Sequence, residues 1–228
     1  MAIRIYDVIT YPMAHMMATT HGLAGLLVGA VFATMAPGET SLLLAAGLLG
    51  GFAPDLDLYW GHRRTLHFPV YGSLAALVAL GVAVVVPTPI TLALAAFLAA
   101  AAVHAASDIL GGGLELRPWE AGSERAVYSH YHRRWLTPRR LVPYDGSPHD
   151  LALVLALGVP GLAITTGPLQ VVVGLTLVVS ATYVLLRKRL ATLATLVASM
   201  LPEQVLPYVP ERYRPGGNSR PVSSSRRT

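Results

Sequence analysis

Six long apolar blocks dominate this sequence, at about residues 16–36, 41–53, 70–86, 90–109, 151–166 and 169–186. Their hydrophobic residues are not spaced as on a half-exposed helix or strand, so they read as segments for a bilayer. A crossing helix needs about 20 apolar residues, with a range of about 17–25. The second block reaches that length only if Asp55 and Asp57 sit at its membrane end, and the fifth carries Gly158, Pro160 and Gly161. Composition agrees: 13% of the 228 residues are charged and 54% are hydrophobic, against about 25% charged in a soluble domain.

The links after blocks one, three and five are very short, around Pro37–Thr40, Pro87–Pro89 and Gly167. Such links force antiparallel helical hairpins. The expected fold is therefore all-α: a polytopic membrane bundle of about six transmembrane helices, forming one domain over residues 1–209. Segment 111–150 is its one larger loop, and residues 187–200 either extend block six or lie in the interface. Residues 210–228, rich in Pro, Gly, Ser and Arg, are expected to be a disordered basic tail.

The basic residues supply an orientation. Arg4 precedes block one, Arg63 and Arg64 follow block two, and six arginines (117, 125, 133, 134, 139 and 140) lie between blocks four and five. The other eight basic residues follow block six. In a six-span topology all of them fall on one side, which the positive-inside rule makes cytoplasmic, with both termini inside a cell (inner or plasma) membrane. The first 20 residues lack the features of a cleaved signal peptide. The lipid bilayer is the expected partner. The net charge of +5 is accounted for by topology, so no nucleic acid is expected.

Cysteine is absent, which excludes disulfides, thiolate metal sites and cysteine nucleophiles. Histidine and aspartate are concentrated where the same topology brings three stretches to one face. His21 opens block one, Asp55 and Asp57 end block two, His62, Arg63, Arg64 and His67 follow it, and His104 and Asp108 end block four. Ionisable groups beside membrane spans are costly and rarely idle. Pro54 discourages a continuing helix; in an extended chain Asp55 and Asp57 would face the same side. His104 and Asp108, four apart, share a helical face.

Imidazole and carboxylate together suit a borderline divalent metal, Zn or Mn above all, as one ion or two. His62 would then serve as acid or base. Arg63 and Arg64 either hold an anion such as a phosphate or simply set topology. His130 and His132 either add ligands or belong to an interfacial loop. His149 and Asp150 read as a helix start, and His15 has no evident partner.

These pieces carry a resemblance. His21-Gly22, Pro54-Asp55-Leu56-Asp57, His62-Arg63-Arg64-Thr65-Leu66-His67 and His104-Ala105-Ala106-Ser107-Asp108 resemble the membrane-bound metal-dependent hydrolases, a family that includes bacterial inner-membrane proteins described as LexA-binding. The likeness covers about residues 18–115. In the third piece Arg64, Leu66 and Phe68 stand where the family usually has Gly, Thr and Ser. The resemblance implies His21, Asp55, Asp57, His67, His104 and Asp108 as metal ligands, with His62 and Arg63 as catalytic or substrate-contacting groups. The expected function is hydrolysis of a phosphoester or lipid-like substrate through a metal-activated water. A metal or ion transporter, and a non-enzymatic anchor that recruits a cytoplasmic partner, are the alternatives.

Overall fold

The computed structural model describes residues 16–202 and 204–206, apart from Trp60. Arg4, His15 and the tail at 210–228 lie outside the described residues. Six helices form: α1 (Ala18–Ala33), α2 (Thr40–Phe52), α3 (Tyr71–Val85), α4 (Pro89–Ser107), α5 (Pro148–Ile164) and α6 (Gly167–Ser199). Each coincides with one apolar block, and residues 187–199 extend the sixth helix.

Local chemistry sets several of the starts. Pro89 occupies the first turn of α4, and Thr88 closes a capping box with Thr91, which satisfies otherwise unpaired N–H groups. Ser147 accepts from the Asp150 N–H at the start of α5. The fifth helix runs through Pro160. Two helical stretches, Pro89–Leu110 and Gly167–Ser199, are long and apolar enough to cross a membrane, whereas α1, α3 and α5 are apolar but shorter.

The α1–α2 hairpin is the centre of the molecule. On one side Phe32 and Leu43 pack with Ala79 and Ala83 of α3 and Leu92 and Ala95 of α4. On the other, Leu23, Leu26 and Leu48 pack with Val154 of α5 and Val173 of α6. The hairpin is held together by glycine. Gly25 and Gly29 on α1 meet Gly47 and Leu43 on α2 so closely that a Cβ at Gly47 would collide with the Gly25 carbonyl oxygen. This is packing of the small-xxx-small kind, in which missing side chains let two backbones approach.

Segment 111–150 is not wholly irregular. It carries a short antiparallel ribbon, β1 (Tyr128–Ser129) with β2 (Arg134–Trp135), and is stitched back to the bundle. Tyr128 N–H donates to the Arg63 carbonyl at 2.9 Å, and Arg139 N–H donates to the Ile109 carbonyl at 2.6 Å.

Candidate metal centre

The chain leaves α2 through a 3-10 segment, Ala53–Tyr59, rather than the extended strand expected after Pro54. The difference decides the site. In a 3-10 helix successive residues turn by about 120°, so Asp55 and Asp57 do not share a face. Asp55 points to the centre of the cluster. Asp57, fully buried, lies behind it and accepts three hydrogen bonds: from His62 Nδ1 at 2.8 Å, His67 Nδ1 at 3.1 Å and Leu66 N at 2.9 Å.

Because a carboxylate only accepts, the ring protons of His62 and His67 sit on Nδ1, and the Nε2 lone pairs face away from Asp57. His104 Nδ1 donates to the Gly51 carbonyl at 2.6 Å, with the same result. His21 Nδ1 lies 3.3 Å from Ser107 Oγ, whose own proton goes to the His104 carbonyl at 3.0 Å. In its neutral form each of the four rings is thus held in the tautomer that presents Nε2, the arrangement in which a neighbouring acceptor orients a metal-ligating histidine.

These nitrogens meet two carboxylates. His21 Nε2 is 3.2 Å from Asp108 Oδ1, and His67 Nε2 is 3.1 Å from Asp108 Oδ2. From Asp55 Oδ1, His104 Nε2 is 3.4 Å away, His67 Nε2 3.7 Å and His62 Nε2 3.9 Å. His104 Nε2 also lies 3.8 Å from Asp108 Oδ2. The residues are buried, with only Asp55 partly open at 15% exposure. Yet the Nε2 atoms of His21, His67 and His104, Oδ2 of Asp55 and both oxygens of Asp108 have no hydrogen-bond partner. Buried polar atoms are normally satisfied.

Ligand atoms about 2.1 Å from a shared cation stand about 3.0–3.4 Å from one another, the range in which the tighter contacts here fall. Three overlapping His/Asp groups, His21–His104–Asp108, Asp55–His67–His104 and Asp57–His62–His67, have the spacing to hold an ion. In the third, the close pairs are the Nδ1–carboxylate hydrogen bonds just described, so Asp57 is already engaged where the sequence suggested a ligand.

The charge balance also fits a cation. Three carboxylates, Asp55, Asp57 and Asp108, face one guanidinium, that of Arg63, whose Nη2 is 3.3 Å from Asp108 Oδ1. Burial works against the charged form of Asp57, but the hydrogen bonds from His62 and His67 outweigh it and hold the carboxyl below the usual range. Burial would also depress His67, but Asp108 and Asp57 more than offset this and raise the ring to about 9. For His62 burial prevails, and the ring stays below its ordinary value.

Arg63 is fully buried and adopts a left-handed backbone, φ 58°, a conformation that costs a residue with a side chain about 1–2 kcal/mol. Its Nη1 donates to the carbonyls of Gly112 (3.1 Å) and Ala126 (3.0 Å), tying loop 111–150 to Asp108. Arg64 stacks over the Tyr128 ring, 4.7 Å from its centroid. His130 bonds the Arg64 carbonyl and His132 bonds Ser129, so neither histidine joins the cluster.

Two acidic residues were not singled out as site candidates from the sequence, or were read differently. Asp145, 2% exposed, accepts from Arg187 Nε at 2.9 Å and from the Tyr183 hydroxyl, both on α6. Burial pushes its carboxyl up to about 6 despite the nearby guanidinium. Asp150 turns from α5 to the start of α1, accepting from Met17 N at 2.7 Å and Thr20 Oγ1 at 2.6 Å. The available signal was the basic run Arg187-Lys188-Arg189 within α6, since a charge that packing buries there calls for a buried partner.

Beside the cluster lies a cavity of 290 Å³, lined by Asp55 and His62, by Met16, Met17 and Ala18, and by Asp145, Val179 and Tyr183. Neither Arg63 nor Arg64 lines it. No family model, curated protein or solved structure matches this chain.

Proposed function

We propose that this chain is a membrane-embedded, metal-dependent hydrolase acting on a lipid-like ester or phosphoester at the cytoplasmic face. The observation that carries the reading is the convergence of unpartnered ring nitrogens and carboxylate oxygens beside a cavity with apolar walls. The resemblance of these motifs to those of the membrane-bound metal-dependent hydrolases supports the same reaction class.

His21, His67, His104, Asp55 and Asp108 are the residues that would hold the metal, with Zn or Mn suited to this donor set. Once His67 has given up its proton to coordinate, three carboxylates against one guanidinium leave an excess of two negative charges, which favours one divalent ion over two. When bound, such an ion supplies Lewis acidity and activates water. Asp57 fixes the tautomers of His62 and His67. Arg63 holds Asp108 in place and anchors the loop. His62, neutral and on the cavity wall, is placed to accept or deliver a proton at Nε2.

The reading of the six helices as a membrane bundle draws on composition and on the exposed apolar faces of α3 and α6. Leu74, Leu77 and Val85 on α3 and Val171, Leu175 and Val178 on α6 are exposed, whereas a soluble protein rarely leaves such faces in water. The one-sided basic residues of the sequence favour a cytoplasmic position for both termini.

The first experiment is elemental analysis of detergent-purified protein beside Asp55→Ala and His104→Ala. Stoichiometric metal in the wild type and its loss in both variants supports the reading, and a panel of ester and phosphoester lipids then tests hydrolysis. Metal-free wild type after reconstitution sinks it and favours the anchor. Metal uptake into sealed vesicles without hydrolysis would favour a transporter.

A further inference from the structure

Among the described residues, the cavity beside the metal centre is two-sided. Asp55 and His62 supply the cluster's part of the lining, and Asp55 is the least buried of the cluster's carboxylates. Met16, Met17 and Ala18 at the start of α1 and Val179 on α6 supply apolar lining, and beside them Thr19 and Ser180 hydrogen-bond to each other. Val179 is more than half exposed, so the cavity is not closed off at α6. Its volume of 290 Å³ is about ten times a water's share of the liquid, about 30 Å³.

At the loop side, Asp145 Oδ1 is buried without a hydrogen-bond partner, because Arg187 and Tyr183 both engage Oδ2. No guanidinium or ammonium group lines the walls, so the pocket offers an anion no cation of the chain's own.

We infer that this cavity binds a single-chain amphiphile, its metal-coordinating head at Asp55 and His62 and its chain along Met16, Met17, Ala18 and Val179. The assignment rests on the proposed hydrolase reading for the location of the head. It adds a chain-length preference and Asp145 Oδ1 as a further hydrogen-bonding group in the lining.

The probes are acetohydroxamic and octanohydroxamic acids, which share a metal-coordinating head and differ only in the chain. Affinities, referred to free probe, are measured on metal-loaded full-length protein, on Val179→Trp, and on Val178→Trp, an exposed neighbour that does not line the cavity. Each methylene buried in an apolar site strengthens binding by up to about fourfold. The wild type is expected to bind the octanoyl probe at least about tenfold more tightly than the acetyl probe. Val179→Trp is expected to bring that ratio close to one while leaving acetohydroxamate affinity and metal content unchanged, and Val178→Trp to retain the wild-type ratio.

A ratio near one in metal-loaded wild type, or a ratio that Val179→Trp leaves intact, overturns the inference alone. Protein that holds no metal and binds neither probe overturns the hydrolase reading and this inference with it. A chain-length effect that Val179→Trp removes, in metal-loaded protein that hydrolyses nothing, keeps the binding site and removes the hydrolase reading.

Discussion

The Nδ1–H of His104 donates to the Gly51 carbonyl oxygen at 2.6 Å, and Gly51 is also the point where α2 lies against α1. A Cβ there would collide with the His21 carbonyl oxygen. One glycine therefore fixes the tautomer of one candidate ligand and the approach of the helix that carries another. Gly51→Ala should force α1 and α2 apart, costing about 1–3 kcal/mol as overpacking does. It should also weaken metal binding by about tenfold or more. Thermal unfolding with and without metal, together with chelator competition, reads both effects; unchanged metal affinity would mean the helix spacing does not matter to the site.

Asp57 separates orientation from coordination. Asp57→Asn should leave the metal bound but raise its dissociation constant about 10–100-fold, the usual cost of losing an orienting partner. Asp55→Ala should abolish stoichiometric binding. Chelator competition followed by elemental analysis distinguishes them, and equal loss in both variants would place Asp57 among the ligands.

Metal affinity should depend on pH through His67. In the metal-free site Asp108 and Asp57 keep its proton up to about pH 9, and a coordinating imidazole must lose that proton. Affinity should thus rise about tenfold per pH unit between about 7 and 9, with about one proton released per ion. Metal titration calorimetry in buffers of different ionisation enthalpy measures the proton count. Affinity that is flat over this window would show that His67 does not ligate.

Asp145 predicts the opposite slope for stability. Its folded-state value of about 6 lies above the ordinary 3.8, so the folded state binds more protons between those values. Stability falls as pH rises through this window and levels off above it. The wild type should lose about 2 kcal/mol relative to Asp145→Asn between pH 4 and 6, the slope approaching about 1.4 kcal/mol per unit in the middle of that window. Comparing unfolding midpoints of the two proteins across that range is the test, and parallel pH profiles would show that the buried carboxyl does not titrate there.

Much of this was legible in the chain. Each apolar block became one helix, because each is long, uncharged and bounded by proline, glycine or a capping hydroxyl such as Thr88 or Ser147. Five of the six residues read as ligands from the sequence present unpartnered or centre-facing atoms in one cluster. The Gly25–Gly29 and Gly47–Gly51 spacings were an unused signal for the close hairpin that brings His21 to His104.

The sequence by itself determined which residues are polar within an apolar chain, and which helix end each occupies, since hydropathy and charge act along the chain. Only the tertiary structure decided what each polar atom does. The 3-10 turn after Pro54 sent Asp55 inward and Asp57 beneath the rings, and Arg63 turned Nη1 to the Gly112 and Ala126 carbonyls and Nη2 to Asp108. Arg187 found Asp145, 42 residues away. A buried charge must be satisfied by whichever group packing brings within reach, and local sequence does not specify that group.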